Sequence, residues 1–366
     1  MKPDISMQID LFYELAVPAP SGRSEAQVYH ETLEEMSLAD ELGFGGVWLV
    51  EHHFMPEYSH SSAPEAFLAA ASQRTRRLRL GHGVVVLPYN HPVRVAERVA
   101  ALDILSHGRV ELGVGRGFSP QEYAVFGARM ADSRDLVQES LDLIRQALSQ
   151  EMLRHRGRFY EAWDVQVLPK PLQRPHPPIW TAAVSPDTYT WAAQQGIGTM
   201  AGPFKPWFLI KQDLAAYRRA WRDIHGDAPP APGQNSRFAM TIGVLCLEDG
   251  DEARRLAQEH FTWYYTRLLA QTRPVLEKFQ ESYGFYKKLG YLQPLLKRAI
   301  NVPLLESMGM IVVGDPAECA DKLERYRRAG VDNLICAVGA GGLPTEKVRE
   351  SMRLMARHIL PRFQPA

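Results

Sequence analysis

Cysteine is scarce in this sequence, and long apolar runs are absent. The 366 residues include three widely spaced cysteines, Cys246, Cys319 and Cys336, which form neither a disulfide framework nor a zinc-binding pattern. No apolar run reaches the length needed to cross a membrane, and the first residues include Asp4 and Asp10 instead of the apolar core of a secretion signal. We therefore expect a cytoplasmic protein.

An excess of charge of either sign is also absent. Lys plus Arg and Asp plus Glu number 42 each, which gives a formal net charge of +0. No predicted strand or helix carries a sustained basic stripe, so nucleic acids and anionic membranes are not expected as partners. Hydrophobic residues make up 45% of the chain and charged residues 23%, a composition typical of a folded protein with a sizeable core.

The chain does contain a regular alternation of short apolar runs and amphipathic segments. Predicted strands lie at 5–13, 46–50, 81–87, 110–114, 179–182, 198–201, 238–247, 310–313 and 333–338, with a hairpin at 157–168. Predicted helices lie at 26–42, 64–74, 133–148, 186–195, 208–224, 253–269, 316–328 and 345–359, and one more begins near Pro92, with Asn90 as its expected N-cap, and stops at Gly108. This alternation requires a parallel sheet covered by helices.

Two α/β architectures offer such a sheet. A doubly wound dinucleotide-binding sheet should have a G-x-G-x-x-G turn after its first strand, but here that strand ends in Tyr13-Glu14-Leu15-Ala16. A phosphate-binding G-x-x-x-x-G-K is missing as well. A single domain spanning 1–366 with the (β/α)8 TIM barrel fold and insertions fits better.

In such barrels the chemistry takes place at the carboxyl ends of the strands. That rule predicts one pocket lined by Glu51 to His53, Val84 to Pro88, Gly115 to Gly117, Thr181 to Ser185 and Gly339 to Gly342.

Two of these segments are suited to an anion. Gly115 and Gly117 let the backbone approach a ligand closely, and Arg116 between them can grip a phosphate with two hydrogen bonds; the alternative is a tight turn with a solvated arginine. Ser185, Asp187 and Thr188 open a helix, either as ordinary N-capping residues or as part of the same anion site.

The adjacent histidines His52 and His53 point in opposite directions if the segment is extended, so they cannot bind one metal together, and no metal site is expected. One of them can face the pocket as an acid–base group. The alternative is an exposed loop histidine paired with Glu51. In the next loop, His91 is interpreted as a structural residue next to a helix cap.

An ordered set of motifs resembles the bacterial luciferase-like flavin-dependent monooxygenases. The matching segments are Glu51-His52-His53-Phe54, Val84 to Arg109, Leu112 to Gly117, Val313 to Pro316 and Arg328 to Asp332.

The resemblance implies a TIM-like barrel that uses reduced FMN, supplied by a separate flavin reductase, and O2 through a C4a-peroxyflavin to oxygenate a small organic substrate. It implies that Arg116 with Ser185, Asp187 and Thr188 holds the phosphate, that His52 lies near the reactive edge of the flavin, and that a non-proline cis peptide falls at Gly83-Val84. It also implies a homodimer.

The sequence departs from the family pattern at Gly115, where luciferase alpha subunits have a cysteine, and the Ser185 region is shorter than in luciferase. Two alternatives stay open: a deazaflavin-dependent dehydrogenase that transfers hydride, and a flavin-binding protein with little catalysis. The substrate is not specified, and aldehydes, ketones, sulfonates and amines are all open.

The segment from Gln271 to Met308 is longer than a barrel connection requires, and we predict that it forms a lid. Its aromatic residues, such as Tyr283 and Phe285, would cover an apolar substrate. Limited proteolysis should cut this segment in the flavin-free protein and spare it when reduced flavin is bound. Resistance in both states would instead indicate a permanently packed pair of helices, for example at a dimer interface.

Overall fold

The computed structural model describes residues 6–280 and 300–363. Its strands are β1 (Gln8–Tyr13), β2 (Gly46–Leu49), β3 (Arg79–Val86), β4 (Val110–Gly115), β5 (Leu153–Arg156), β6 (Glu161–Val165), β7 (Ile179–Ala183), β8 (Gly198–Ala201), β9 (Phe238–Cys246), β10 (Ile311–Gly314) and β11 (Asn333–Ala337). Eight of them pair in parallel and close into a barrel in the order β1, β2, β3, β4, β7, β8, β9, β11. The predicted TIM barrel is confirmed.

Three strands lie outside the barrel. β10 runs parallel to the second half of β9, pairing Ile311 with Gly243 and Gly314 with Cys246. β5 and β6 form an antiparallel hairpin, which begins slightly before the predicted one.

The helices lie between the strands, as the alternation predicts. They are α1 (Glu25–Leu42), α2 (Pro64–Ser72), α3 (Pro92–Leu105), α4 (Pro120–Val125), α5 (Ser133–Ser149), α6 (Pro186–Gln195), α7 (Trp207–His225), α8 (Gly250–Gln280), α9 (Val302–Ser307), α10 (Pro316–Ala329), α11 (Thr345–His358) and α12 (Leu360–Phe363). Within the described residues, no helix is both long and apolar enough to span a bilayer.

Local chemistry sets the ends of several helices. α1 begins with a capping box between Ser24 and Gln27 and ends at Gly43 in the left-handed conformation. At α3 the predicted N-cap Asn90 is wrong, because His91 takes that place and its Nδ1 accepts a hydrogen bond from the Val93 amide at 3.3 Å. The Asn90 side-chain amide instead donates a hydrogen bond to Glu51.

The predicted lid corresponds only partly to described structure. Residues 271–280 continue α8 beyond its predicted end, and Val302–Ser307 forms α9. Residues 281–299, with the aromatic residues of the predicted lid, lie outside the described residues. The lid therefore stays a prediction.

Two buried carboxylates occupy the amino-terminal end of the barrel interior. Asp10 on β1 accepts hydrogen bonds from the Trp48 indole at 2.9 Å and from the Asn333 amide at 3.0 Å. Burial raises the pKa of Asp10, and these donors oppose the rise. The carboxylate thus joins β1 to β2 and β11 at one level of the barrel.

Glu111 on β4 makes the second set of contacts. It accepts the Trp180 indole N–H at 2.7 Å, pairs with Arg79, and pairs with Arg237 at 3.1 Å. The Arg237 guanidinium also stacks over the Trp180 ring at 4.5 Å. Glu111 therefore connects β4 with β3, β7 and the start of β9.

We predict that Glu111→Gln lowers the free energy of unfolding by about 3 kcal/mol. The substitution keeps the side-chain shape but leaves Arg79 and Arg237 without their shared anion, and the value is at the low end for a buried pair because both arginines are about a third exposed. Urea unfolding measures the change. The control is Glu97→Gln, which removes an exposed pairing with Arg94 and should change stability by less than about 0.5 kcal/mol. Equal effects of the two substitutions would contradict the prediction.

Candidate functional site

A cavity of about 350 Å³ lies at the carboxyl ends of the barrel strands. All eight barrel strands, or the residues directly after them, contribute to its wall. Representative lining residues are Phe12 and Glu14 (β1), Val50 and His52 (β2), Val84 and Val86 (β3), Gly115 and Arg116 (β4), Thr181 and Ser185 (β7), Met200 and Phe204 (β8), Thr241 (β9) and Ile335 (β11). This size lies within the range of small-molecule sites.

The structure brings together four of the five predicted segments. The segments at Glu51, Val84, Gly115 and Thr181 contribute to the cavity wall. The fifth prediction, Gly339 to Gly342, is wrong for this cavity, because Gly339 to Gly341 line a second cavity of about 50 Å³, which shares Phe12 and Glu14 with the first.

The middle of the cavity is apolar and closely fitted. Trp48 and Trp180 meet edge to face, with ring centroids 5.4 Å apart, and Val84 packs against their cluster. The peptide between Gly83 and Val84 is cis, as expected, and the β3–β4 register shifts there. A Cβ on Gly115 would lie 2.5 Å from Cγ2 of Val84, so the absence of a side chain at 115 makes room for the valine.

Arg116 extends from the end of β4 into the cavity wall. Its Nε and Nη2 donate to the Ser133 hydroxyl at 3.1 and 2.9 Å, which ties the guanidinium to the first residue of α5. Gly117 follows with a φ of +68°, a conformation that favours glycine. The predicted alternative of a solvated turn arginine is wrong, because the side chain is fixed and lines the cavity.

The start of α6 lies beside Arg116. Ser185 is its N-cap residue, but its hydroxyl makes no capping bond and instead pairs with the Thr188 hydroxyl at 3.0 Å. Asp187 is 3.8 Å from Nη2 of Arg134, and all four side chains line the cavity. Two arginines and a helix N-terminus thus meet at one part of the wall, an arrangement suited to a phosphate.

Arg134 is a site residue that the sequence analysis missed. It lies in the first turn of α5, where the helix dipole disfavours a cation. A cation at this unfavourable place in a helix, close to a predicted anion site, is the signal that could have identified Arg134.

The adjacent histidines His52 and His53 have different surroundings, because His52 lines the cavity and His53 does not. His52 lines the cavity, packs edge-on to Phe118 with centroids 5.2 Å apart, and has its Nδ1 3.9 Å from the Glu122 carboxylate. Among the described residues, this buried Nδ1 has no hydrogen-bond partner. The alternative of a loop histidine paired with Glu51 applies to His53, whose Nε2 is 3.3 Å from Glu51. The side chain of His53 is largely buried, however, and not exposed.

Glu51 has a structural function at the same strand end. Its carboxylate accepts the Val86 amide at 2.7 Å and the Asn90 side-chain amide at 2.8 Å. These two bonds fix the end of β3 against β2 and position Val84 and Val86 on the cavity wall.

Glu14, directly after β1, is a second residue that the sequence analysis missed. It lines the cavity, and its Oε1 accepts the Tyr58 hydroxyl at 2.7 Å and the Tyr264 hydroxyl at 3.1 Å. Burial raises the pKa of this carboxyl to about 7, although His52 and the two tyrosines oppose the rise. Its place at a strand end is the signal in the sequence that could have identified it.

Residues 7–333 match the family model described as luciferase-like monooxygenase. The chain belongs to the luciferase-like monooxygenase family. It is 37% identical to limonene 1,2-monooxygenase of Rhodococcus erythropolis over 94% of this chain and 85% of that protein. It is 26% identical to the oxygenase component of flavin-dependent trigonelline monooxygenase of Acinetobacter baylyi, over 93% of this chain and 91% of the relative.

A solved structure shares the fold. The oxygenating constituent of 3,6-diketocamphane monooxygenase from Pseudomonas putida, in complex with FMN, aligns with a TM-score of 0.77 and 21% identity over 98% of this chain and 100% of that one. By its family match and its relatives, this luciferase-like protein is an oxidoreductase, a monooxygenase, and the structural likeness shows that it is built on the TIM barrel.

Proposed function

We propose that this luciferase-like protein uses reduced FMN and O2, through a C4a-peroxyflavin, to oxygenate a small organic substrate. When bound, the flavin would supply the electrons and the site of oxygen activation. The observation that carries the proposal is the pairing, in one cavity, of an anion-binding group with a proton-handling group. The first comprises Arg116, Arg134 and the start of α6, and the second includes His52.

The anion-binding group suits the FMN phosphate. Arg116 is held by Ser133 in a fixed orientation, so little side-chain freedom is lost when it binds a ligand. Ser185 and Thr188 offer hydroxyl groups, and the amino-terminal end of α6 adds its dipole. These residues would hold the phosphate, while the apolar wall of Val84, Trp48 and Met200 would contact the ring system.

His52 would hold or move a proton at the reacting oxygen. Its Nδ1 is buried, and Phe118 packs against the ring. The largely apolar wall would exclude water, which slows the wasteful release of hydrogen peroxide.

Several partners and properties complete the proposal. A relative named as an oxygenase component supports a separate flavin reductase as the source of reduced FMN. We also propose a cytoplasmic homodimer with a lid at 271–308, as the sequence analysis expects.

Oxygen uptake with reduced FMN and candidate substrates distinguishes the monooxygenase from a deazaflavin-dependent dehydrogenase and from a flavin-binding protein with little catalysis.

We predict that Arg116→Ala weakens FMN binding about ten- to a hundredfold, because a charged contact to the phosphate is worth about 1.5–3 kcal/mol. Fluorescence titration with FMN and with riboflavin measures the effect. Riboflavin, which lacks the phosphate, should bind wild type and variant equally, so it also reports whether the variant is folded.

The control for Arg116 is Arg129→Ala, which removes an exposed arginine paired with Asp132 at 3.3 Å. This variant should retain the wild-type affinity for FMN. If wild type binds FMN and riboflavin equally, or if Arg116→Ala binds FMN normally, the phosphate assignment is wrong.

We predict that His52→Ala still binds reduced FMN but releases more of the consumed oxygen as hydrogen peroxide and forms product more slowly. Loss of an acid–base group typically costs about 10²- to 10⁴-fold in rate. Peroxide and product are measured together over one turnover. His53→Ala is the matched control, since His53 does not line the cavity and its Nε2 lies 3.3 Å from Glu51. If His52→Ala still converts the consumed oxygen into product while His53→Ala releases it as hydrogen peroxide, His53 and not His52 is the acid–base residue.

A further inference from the structure

Glu14 is a cavity residue to which the proposed function assigns no task. It follows β1 directly, is 9% exposed and lines the main cavity. Oε1 accepts two phenol hydroxyls, from Tyr58 at 2.7 Å and Tyr264 at 3.1 Å. Oε2 is buried and, among the described residues, has no hydrogen-bond partner. Because Oε1 already accepts two hydrogen bonds, Oε2 is the oxygen on which a proton of this carboxyl would reside.

The groups that face Glu14 favour two accessible protonation states. Burial raises its pKa to about 7, while His52, Tyr58 and Tyr264 lower it. Tyr265, next to Tyr264 on α8, also interacts electrostatically with it. These phenols are neutral at neutral pH, since the pKa of each is raised above the usual range, mainly by burial. Glu14 can therefore give up and regain a proton near pH 7, and the two phenol donors stabilise the carboxylate that results.

Glu14 is also close to the proposed reacting region. Tyr58, its stronger donor, has its ring 6.1 Å from the ring of His52, and Glu14, Tyr58 and His52 all line the same cavity. A proton held here is shielded from bulk water, in contrast to one on an exposed side chain. This geometry suits a general acid.

We propose that Glu14 is a second acid–base residue of the cavity, which delivers a proton to a cavity-bound oxygen atom in each turnover. This inference rests on the proposed function. With the reduced flavin entering as its anion, FMNH⁻ + O2 + S + H⁺ gives FMN + SO + H2O, so one proton is consumed for each substrate S. The proton leaves the Glu14 carboxyl for the oxygen that departs as water, and the carboxylate then regains a proton from solvent. No electrons pass through Glu14.

The first measurement follows Glu14 without turnover. In protein labelled with [δ-13C]glutamate, carboxyl resonances are recorded against pH in the flavin-free form and with oxidised FMN bound. We expect a resonance that titrates near pH 7 and disappears in Glu14→Gln. The matched control is Glu35→Gln, because Glu35 on α1 is a buried carboxyl outside the main cavity whose pKa burial raises to about 8. That variant should lose a different resonance. If the resonance lost in Glu14→Gln titrates near pH 4 in the wild type, the inference is wrong.

The second measurement tests proton delivery and needs no substrate. Without S, FMNH⁻ + O2 + H⁺ gives FMN + H2O2, which consumes one proton as well. Stopped-flow oxidation of the protein–reduced FMN complex should slow as pH rises through about 7, the pKa of Glu14. Glu14→Gln should be about a hundredfold slower at pH 6 and lack this step. Glu35→Gln should behave as wild type.

Tyr58→Phe separates an acid–base role from a structural one. Removal of a donor to Oε1 raises the pKa of Glu14, so the kinetic step and the NMR titration should move together to higher pH. If Glu14→Gln keeps the step, or if the two shifts in Tyr58→Phe disagree, Glu14 does not deliver the proton. Failure of the wild type to bind reduced FMN would instead overturn the proposed function, while the flavin-free NMR titration would be unaffected.

Discussion

The hydrogen bonds from two buried indoles to two buried carboxylates support the rest of the structure. Trp48 donates to Asp10 and Trp180 donates to Glu111, and each carboxylate also binds a side chain from a further strand. Trp48 lines the cavity and packs against Trp180 in one cluster with Met200 and Val84. The polar network at one end of the barrel therefore fixes the shape of the site at the other end.

Much of the fold could be predicted because each of its signals is local. Alternating apolar runs, glycine stops and proline starts are short-range features, and α6 and β8 have the predicted bounds. The N-cap of α3 was mispredicted because Asn90 has a partner distant in sequence, Glu51, which no local rule detects. Helix α8 extends to Gln280, beyond its predicted end at residue 269, because no glycine or other helix-ending residue stands there.

The site residues that directly follow barrel strands could be predicted, because the active sites of such barrels lie at the carboxyl ends of the strands. The residues whose place in the site depends on tertiary contacts were missed. His52 and Arg116 follow strands and were identified from that position alone. Arg134 belongs to a helix whose first residue, Ser133, is hydrogen-bonded to Arg116 after β4, so the rule about strand ends does not include it. Glu14 follows a strand, but its chemistry depends on Tyr264, which lies 250 residues further along the chain.

The contact between Gly115 and Val84 constrains the order in which this cavity can change. A side chain at position 115 requires the space that Cγ2 of Val84 occupies, only 2.5 Å from the ideal Cβ. Replacing Val84 with a smaller residue opens a gap, whereas enlarging Gly115 first forces backbone of β4 and β3 apart. A larger residue at 115 would thus be reached by an ordered pair of substitutions, with the valine changed first. The two positions are therefore coupled, because the cost of a side chain at 115 depends on the size of the residue at 84.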